Sequence, residues 1–232
     1  MYTEKKVVLA ADDFEKEELL ELVKKIGPKV FCVKIHSLFD KFGPGIVKEL
    51  QDAGAAKVWI DAKLHDIPNT VRLRAKAFAD SGCNIITVHA SGGVEMMKAA
   101  REGFGKGKIF AVTALTSLSD KDINNIYQSA NAKDLVSRLA PLVVEAGMDG
   151  LVCSVAELEL LHLNSSYSGL EFMVPGIRSA GVETGDQKRF DTPSNALKLG
   201  ATYLVVGRQL TKVPDVLSAL DSLELEISQV LS

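Results

Sequence analysis

The stretch Lys57-Val58-Trp59-Ile60-Asp61-Ala62-Lys63-Leu64-His65-Asp66-Ile67-Pro68-Asn69-Thr70 decides how the chain is read. Its first half, Lys57–Ala62, is an apolar run without strict polar alternation, the pattern of a strand buried on both faces. Its second half is crowded with charge, and Pro68 fixes the backbone before the next helical stretch. Asp61 and Lys63 stand two apart, so strand alternation points both side chains to the same side. One strand, one charged strand end and one helix start therefore make a single β-α unit.

Seven further runs have the same character: Val7–Asp12, Val30–Ile35, Asn84–His89, Lys108–Ala114, Asp149–Ser154, Leu170–Pro175 and Thr202–Gly207. Amphipathic stretches lie between them. Leu19, Leu22, Val23 and Ile26 fall on one helical face, and Leu135, Leu139, Leu142 and Val143 on another. Eight units in 232 residues, about 29 residues each, predict an α/β fold, a (β/α)8 TIM barrel. No linker or charge block divides the chain, so one domain is expected over residues 1–232. An open doubly wound sheet is the competing fold. The lack of a G-x-G-x-x-G after the first strand and of a break between halves weighs against it.

Composition narrows the function. Hydrophobic residues at 47% and charged residues at 25% exclude disorder, collagen and coiled coil. A net charge of −3 gives no basic footprint for nucleic acid. The apolar run from Val7 stops at Asp12 and Asp13, and no stretch approaches the roughly eighteen apolar residues of a membrane span. Neither a signal peptide nor a membrane partner is expected. The three cysteines, odd in number and without a C-x-x-C pair, read as reduced core thiols in a cytoplasmic protein.

Barrel active sites form at the C-terminal strand ends. There the chain offers Asp12, Lys34, Asp61 with Lys63, His89, the Thr113–Ser117 segment, Pro175-Gly176-Ile177-Arg178 and Gly207-Arg208. A lysine flanked by carboxylates keeps its proton, which makes Lys63 a proton donor rather than a Schiff-base nucleophile. Each group also has a plainer reading. Asp12 fits a D-x-x-E helix cap with Glu15, Lys34 a snorkelling strand-end lysine, and Asp61 with Lys63 a surface ion pair. His89 and His65 read as structural histidines, and four histidines without H-x-H or H-E-x-x-H spacing make no metal site. After strands seven and eight, Gly176, Gly181 and Gly185 punctuate a loop bearing Arg178, Gln187, Lys188 and Arg189. Gly207-Arg208 follows, a combination suited to phosphate and to a closing lid.

Residues Asp61 to Thr70 resemble the D-x-K-x-H-D-I-P-x-T signature of the orotidine 5′-phosphate decarboxylase family. Leu115-Thr116-Ser117, Pro175-Gly176-Ile177-Arg178, Gly185-Asp186-Gln187 and Val206-Gly207-Arg208 support the match. The resemblance implies conversion of orotidine monophosphate to UMP and CO2 in pyrimidine nucleotide synthesis, with no metal and no organic cofactor. It implies that Lys63 protonates C6, that Asp61 sits against the departing carboxylate, and that Lys34 and Asp66 complete the charge array. Asp12 and Lys34 are implied to hold the ribose hydroxyls, Thr116 the pyrimidine, and Gln187, Gly207 and Arg208, with Arg178 nearby, the phosphate. Asp66, Ile67 and Thr70 are implied to reach into a partner subunit, making a homodimer with shared sites. Two positions depart from the pattern: Ala10-Ala11-Asp12 replaces the common Ala-Leu-Asp, and His36 stands where glycine is common. A metal-dependent aldolase or synthase acting on a phosphosugar, and a phosphate-binding barrel without turnover, are the competing functions.

Overall fold

Eight parallel strands pair in chain order and close, β1 lying against β8 through Val8 opposite Val205. The computed structural model describes residues 5–179 and 191–231. The strands are β1 (Val7–Ala10), β2 (Cys32–Ile35), β3 (Val58–Leu64), β4 (Ile85–His89), β5 (Lys108–Val112), β6 (Gly150–Val152), β7 (Glu171–Val174) and β8 (Tyr203–Val206). The helices are α1 (Lys16–Ile26), α2 (Ser37–Phe42), α3 (Gly45–Asp52), α4 (Pro68–Asp80), α5 (Val94–Phe104), α6 (Asp120–Tyr127), α7 (Ala132–Glu145), α8 (Val155–His162), α9 (Pro193–Lys198), α10 (Arg208–Thr211) and α11 (Val216–Leu231).

Strand periodicity splits the core in two. Val8, Cys32, Trp59, Ile85, Phe110, Met173, Tyr203 and Val205 pack together as the filling of the barrel. Leu9, Val33, Ile60, Ile86, Ala111 and Leu204, their strand neighbours, join the larger layer under the helices. Both faces are apolar, which is why the strands show no polar alternation. The helices contribute from one stripe: Leu19, Val23 and Ile26 of α1, and Leu135, Leu139 and Val143 of α7, are buried. Where β6 passes between β7 and the Phe110 ring, it needs glycine. A Cβ on Gly150 would lie 2.1 Å from the Glu171 carbonyl and 2.6 Å from the Phe110 ring.

Two features differ from the sequence reading. The units are not one helix each: α2 and α3 both follow β2, and α6 precedes α7. Ser119 and Asp122 start α6 with a reciprocal cap, Ser119 Oγ accepting the Asp122 N–H at 3.2 Å and Asp122 Oδ2 the Ser119 N–H at 3.0 Å. The second difference lies in β3. Ile60 pairs with Ile86 and Leu64 with Val88, so Asp61, Ala62 and Lys63 face Thr87 alone. Lys63 has φ +44, a conformation rare outside glycine. Simple alternation therefore does not bring Asp61 and Lys63 together; a bulge does. Among the described residues no helix is long and apolar enough to cross a membrane.

Candidate active site

A cavity of about 510 Å³ opens at the C-terminal ends of the strands. Eight of the residues given a catalytic or binding role from the sequence line it. Asp12, Lys34, Asp61 and Lys63 come from the ends of β1, β2 and β3, and Thr116 from the loop after β5. Arg178, Gly207 and Arg208 come from the ends of β7 and β8.

The first four form a row of alternating charge. Lys34 Nζ donates to Asp12 Oδ1 at 2.5 Å and stands 3.8 Å from Asp61 Oδ2. Lys63 Nζ donates to the same Asp61 oxygen at 2.6 Å. The plainer readings fail here for physical reasons. Lys34 is only 5% exposed, so its ammonium is paired inside the mouth instead of snorkelling to water. Asp61, with a side chain 11% exposed, is no surface partner. Asp12 does not cap α1; Glu15 occupies that position, without a side-chain cap bond. The floor beneath Lys34 is the Trp59 ring, whose centroid is 6.0 Å from Nζ.

Asp12 is held by a second donor, His36 Nε2 at 3.2 Å. His36 Nδ1 accepts the Ser37 N–H at 2.5 Å, which leaves the ring proton on Nε2, facing Asp12. Burial pushes the Asp12 carboxyl up. The bond from His36, then the charge of and bond from Lys34, outweigh burial and hold it at about 2. The histidine that departs from the family pattern is thus built into the charge row.

Thr87, wholly buried on β4, faces the bulge. Its Oγ1 donates to Asp61 Oδ1 at 2.7 Å and accepts the Lys63 N–H at 3.1 Å. Two residues further on, His89 sits outside the cavity lining, its ring centroid 5.4 Å from that of His65. Burial, then the charges of His65 and Lys63, lower its pKa below the ordinary imidazole range.

On the opposite wall the chain after β7 is pinned at both ends. Arg178 N–H donates to the Asp191 carbonyl at 2.9 Å and Asp191 N–H to the Gly176 carbonyl at 3.1 Å, with Gly176 at φ +78. Gln209 ties Ser179 to α10, its Oε1 accepting the Ser179 N–H at 2.9 Å. The Arg178 guanidinium is buried, and its Nη1 donates to the Ile177 carbonyl at 2.7 Å. Gln187, with Gly181, Gly185, Lys188 and Arg189, lies outside the described residues. The space beside Gly207 is open among the described residues: an added Cβ would meet Ala10 at 3.7 Å, an ordinary contact.

Asp66, Ile67 and Thr70 are not brought to this cavity. Asp66 Oδ1 accepts the Ile67 N–H at 2.7 Å just before α4, and Ile67 is 66% exposed. Sequence reasoning missed Trp59 and Lys212, which line the cavity, and Thr87 behind Asp61. Trp59 was recoverable, since it precedes Asp61 by one strand repeat and must share its face. Thr87 carried no signal because its role depends on the bulge opposite it. Among the described residues no group of three or more His, Cys, Asp or Glu side chains is placed to hold a metal.

The fold and the site together define a (β/α)8-barrel enzyme whose mouth sets a row of lysines and carboxylates against arginines. A sequence model of the orotidine 5′-phosphate decarboxylase / HUMPS family matches residues 5–223, and the chain belongs to that family. An orotidine 5′-phosphate decarboxylase of Hahella chejuensis is 42% identical, the match covering 97% of this chain and 98% of the relative. One from Saccharophagus degradans is 43% identical over 96% and 95% of the two chains. Among solved structures, orotidine 5′-phosphate decarboxylase from Lactobacillus acidophilus superposes with a TM-score of 0.82 at 35% identity. That superposition covers 97% of this chain and 99% of that one.

Proposed function

We propose that the protein converts orotidine 5′-monophosphate to UMP and CO2, with Lys63 as the proton donor. The observation that carries this is the Asp12–Lys34–Asp61–Lys63 row, unbroken along one wall of the cavity. Breaking the C6–carboxylate bond releases CO2 and leaves its electron pair on C6 as a localised carbanion. An ammonium beside that carbon gains attraction only as the charge develops, so it lowers the barrier instead of merely tightening substrate binding. The Lys63 proton then passes to C6, and the neutral amine recovers a proton from solvent. Asp61, bonded to Lys63, lies against the departing carboxylate, while Lys34 and Asp12 take the ribose hydroxyls. The pyrimidine rests by Thr116.

The phosphate is assigned to Arg208 and Arg178, the backbone of Gly207 and, beyond the described residues, Gln187. The Gly207 geometry supports this. Among the described residues the space beside its backbone is open, which leaves room for an anion to approach the N–H. Grip on a group remote from C6 supplies binding energy that orients the reacting end. Asp66 and Ile67, both exposed, and the half-buried Thr70 fit a second subunit's site, so the working unit is read as a homodimer sharing its sites. The free, buried thiols of Cys32, Cys83 and Cys153 suit a reducing compartment, the cytoplasm.

The test is direct. Purified, EDTA-treated protein is mixed with orotidine monophosphate while the orotate absorbance and CO2 release are followed. Loss of the band with matching CO2 supports the assignment; no change in either overturns it.

A further inference from the structure

We propose that Thr87 is a positioning residue for the proton-transfer step, one hydroxyl that fixes both the Asp61 carboxylate and the backbone under Lys63. The inference rests on the decarboxylase reading above, but its geometric half stands on the structure alone. Between the Ile60–Ile86 and Leu64–Val88 pairs, β3 carries three residues against one on β4. That one residue is Thr87. An extra length of strand normally loses its ladder partners, and here the lost partner is replaced by a side chain: the Lys63 N–H donates to Thr87 Oγ1 at 3.1 Å. Lys63 is held at φ +44, a backbone state that a non-glycine residue keeps only when its surroundings impose it.

The same hydroxyl donates to Asp61 Oδ1 at 2.7 Å. Asp61 Oδ2 is thereby the oxygen turned to the lysines, 2.6 Å from Lys63 Nζ and 3.8 Å from Lys34 Nζ. A single donor–acceptor group thus sets the plane of the carboxylate and the root of the lysine that bonds to it. Thr87 is fully buried and outside the cavity lining, so it acts through these two residues and not on the substrate.

Thr87→Val keeps the shape and removes the hydroxyl, leaving Asp61 Oδ1 and the Lys63 N–H without that partner. A displacement of the reacting groups of about 1 Å costs on the order of a hundredfold in rate. The expected result is a fall in kcat of about a hundredfold with the UMP dissociation constant unchanged within about threefold, and recovery to within about fivefold in Thr87→Ser. Wild-type kcat in Thr87→Val overturns the inference. So does a parallel loss of UMP affinity and thermal stability, the mark of a merely structural residue, or a serine variant no better than valine. If the valine variant does not fold, Thr87→Cys replaces it, and wild-type kcat there overturns the inference equally. A wild-type protein inert towards orotidine monophosphate sinks the decarboxylase reading instead. In that event the crystal structure of Thr87→Val still decides the geometric half: the inference expects the Lys63–Asp61 contact to open or Lys63 to leave positive φ, and an unchanged bulge refutes it.

Discussion

At the scale of single residues, the site is organised by which oxygen each donor takes. Asp12 Oδ1 receives both Lys34 and His36, so the carboxylate is held below its ordinary value of 3.8, at about 2. A depressed carboxyl contributes stability that is complete above the unfolded value and fades as pH falls towards about 2. His36→Phe removes the second donor and is expected to move the Asp12 titration upward, read by carboxyl 13C NMR. An unmoved titration contradicts the bond. Across the cavity, Arg208→Ala is expected to raise KM for the nucleotide by about a hundredfold, the order of one charge-assisted bidentate contact. Orotidine without its phosphate should be turned over equally by the two proteins. Comparable losses on both substrates would remove Arg208 from the phosphate. The charged residues of the mouth were legible in the sequence because strand ends in a barrel converge. What Asp12 does with its charge was not, since D-x-x-E also writes a helix cap and only the fold sets Lys34 within 2.5 Å.

At the scale of elements, all eight strands were legible because burial on two faces leaves an apolar run whose ends are marked by charge or glycine. The helices were less so. The reciprocal cap at Ser119 opens a helix that a one-per-unit count overlooks. Register was not legible at all: the bulge in β3 depends on Thr87 in the next strand, and no pattern within residues 57–70 encodes it. On β4 itself, His89 is kept neutral by burial beside His65 and Lys63. Its lowered pKa means that the unfolded chain binds the proton first, so stability falls as pH drops below the ordinary value of 6.5 towards the lowered one. Thermal midpoints between about pH 8 and about pH 5 should therefore fall less for His89→Gln than for the wild type. An equal fall would show that His89 does not carry this dependence.

At the scale of the molecule, the barrel brings seven of its eight strand ends to one cavity yet leaves Asp66 and Ile67 outside it. The proposed homodimer with shared sites would place these two residues in the partner's cavity. Mixing Lys63→Ala with Asp66→Asn should regenerate one intact site in each hybrid dimer, about a quarter of wild-type activity after random exchange. Chains that work alone would regain none. The central claim is that this architecture delivers the Lys63 ammonium to the reacting carbon as charge forms there. Single-turnover decarboxylation and UMP binding by Lys63→Ala, measured on the same preparation, test it most directly. The account predicts turnover lost by at least about ten-thousandfold with UMP affinity within about threefold of wild type. A variant that decarboxylates at close to the wild-type rate would contradict it.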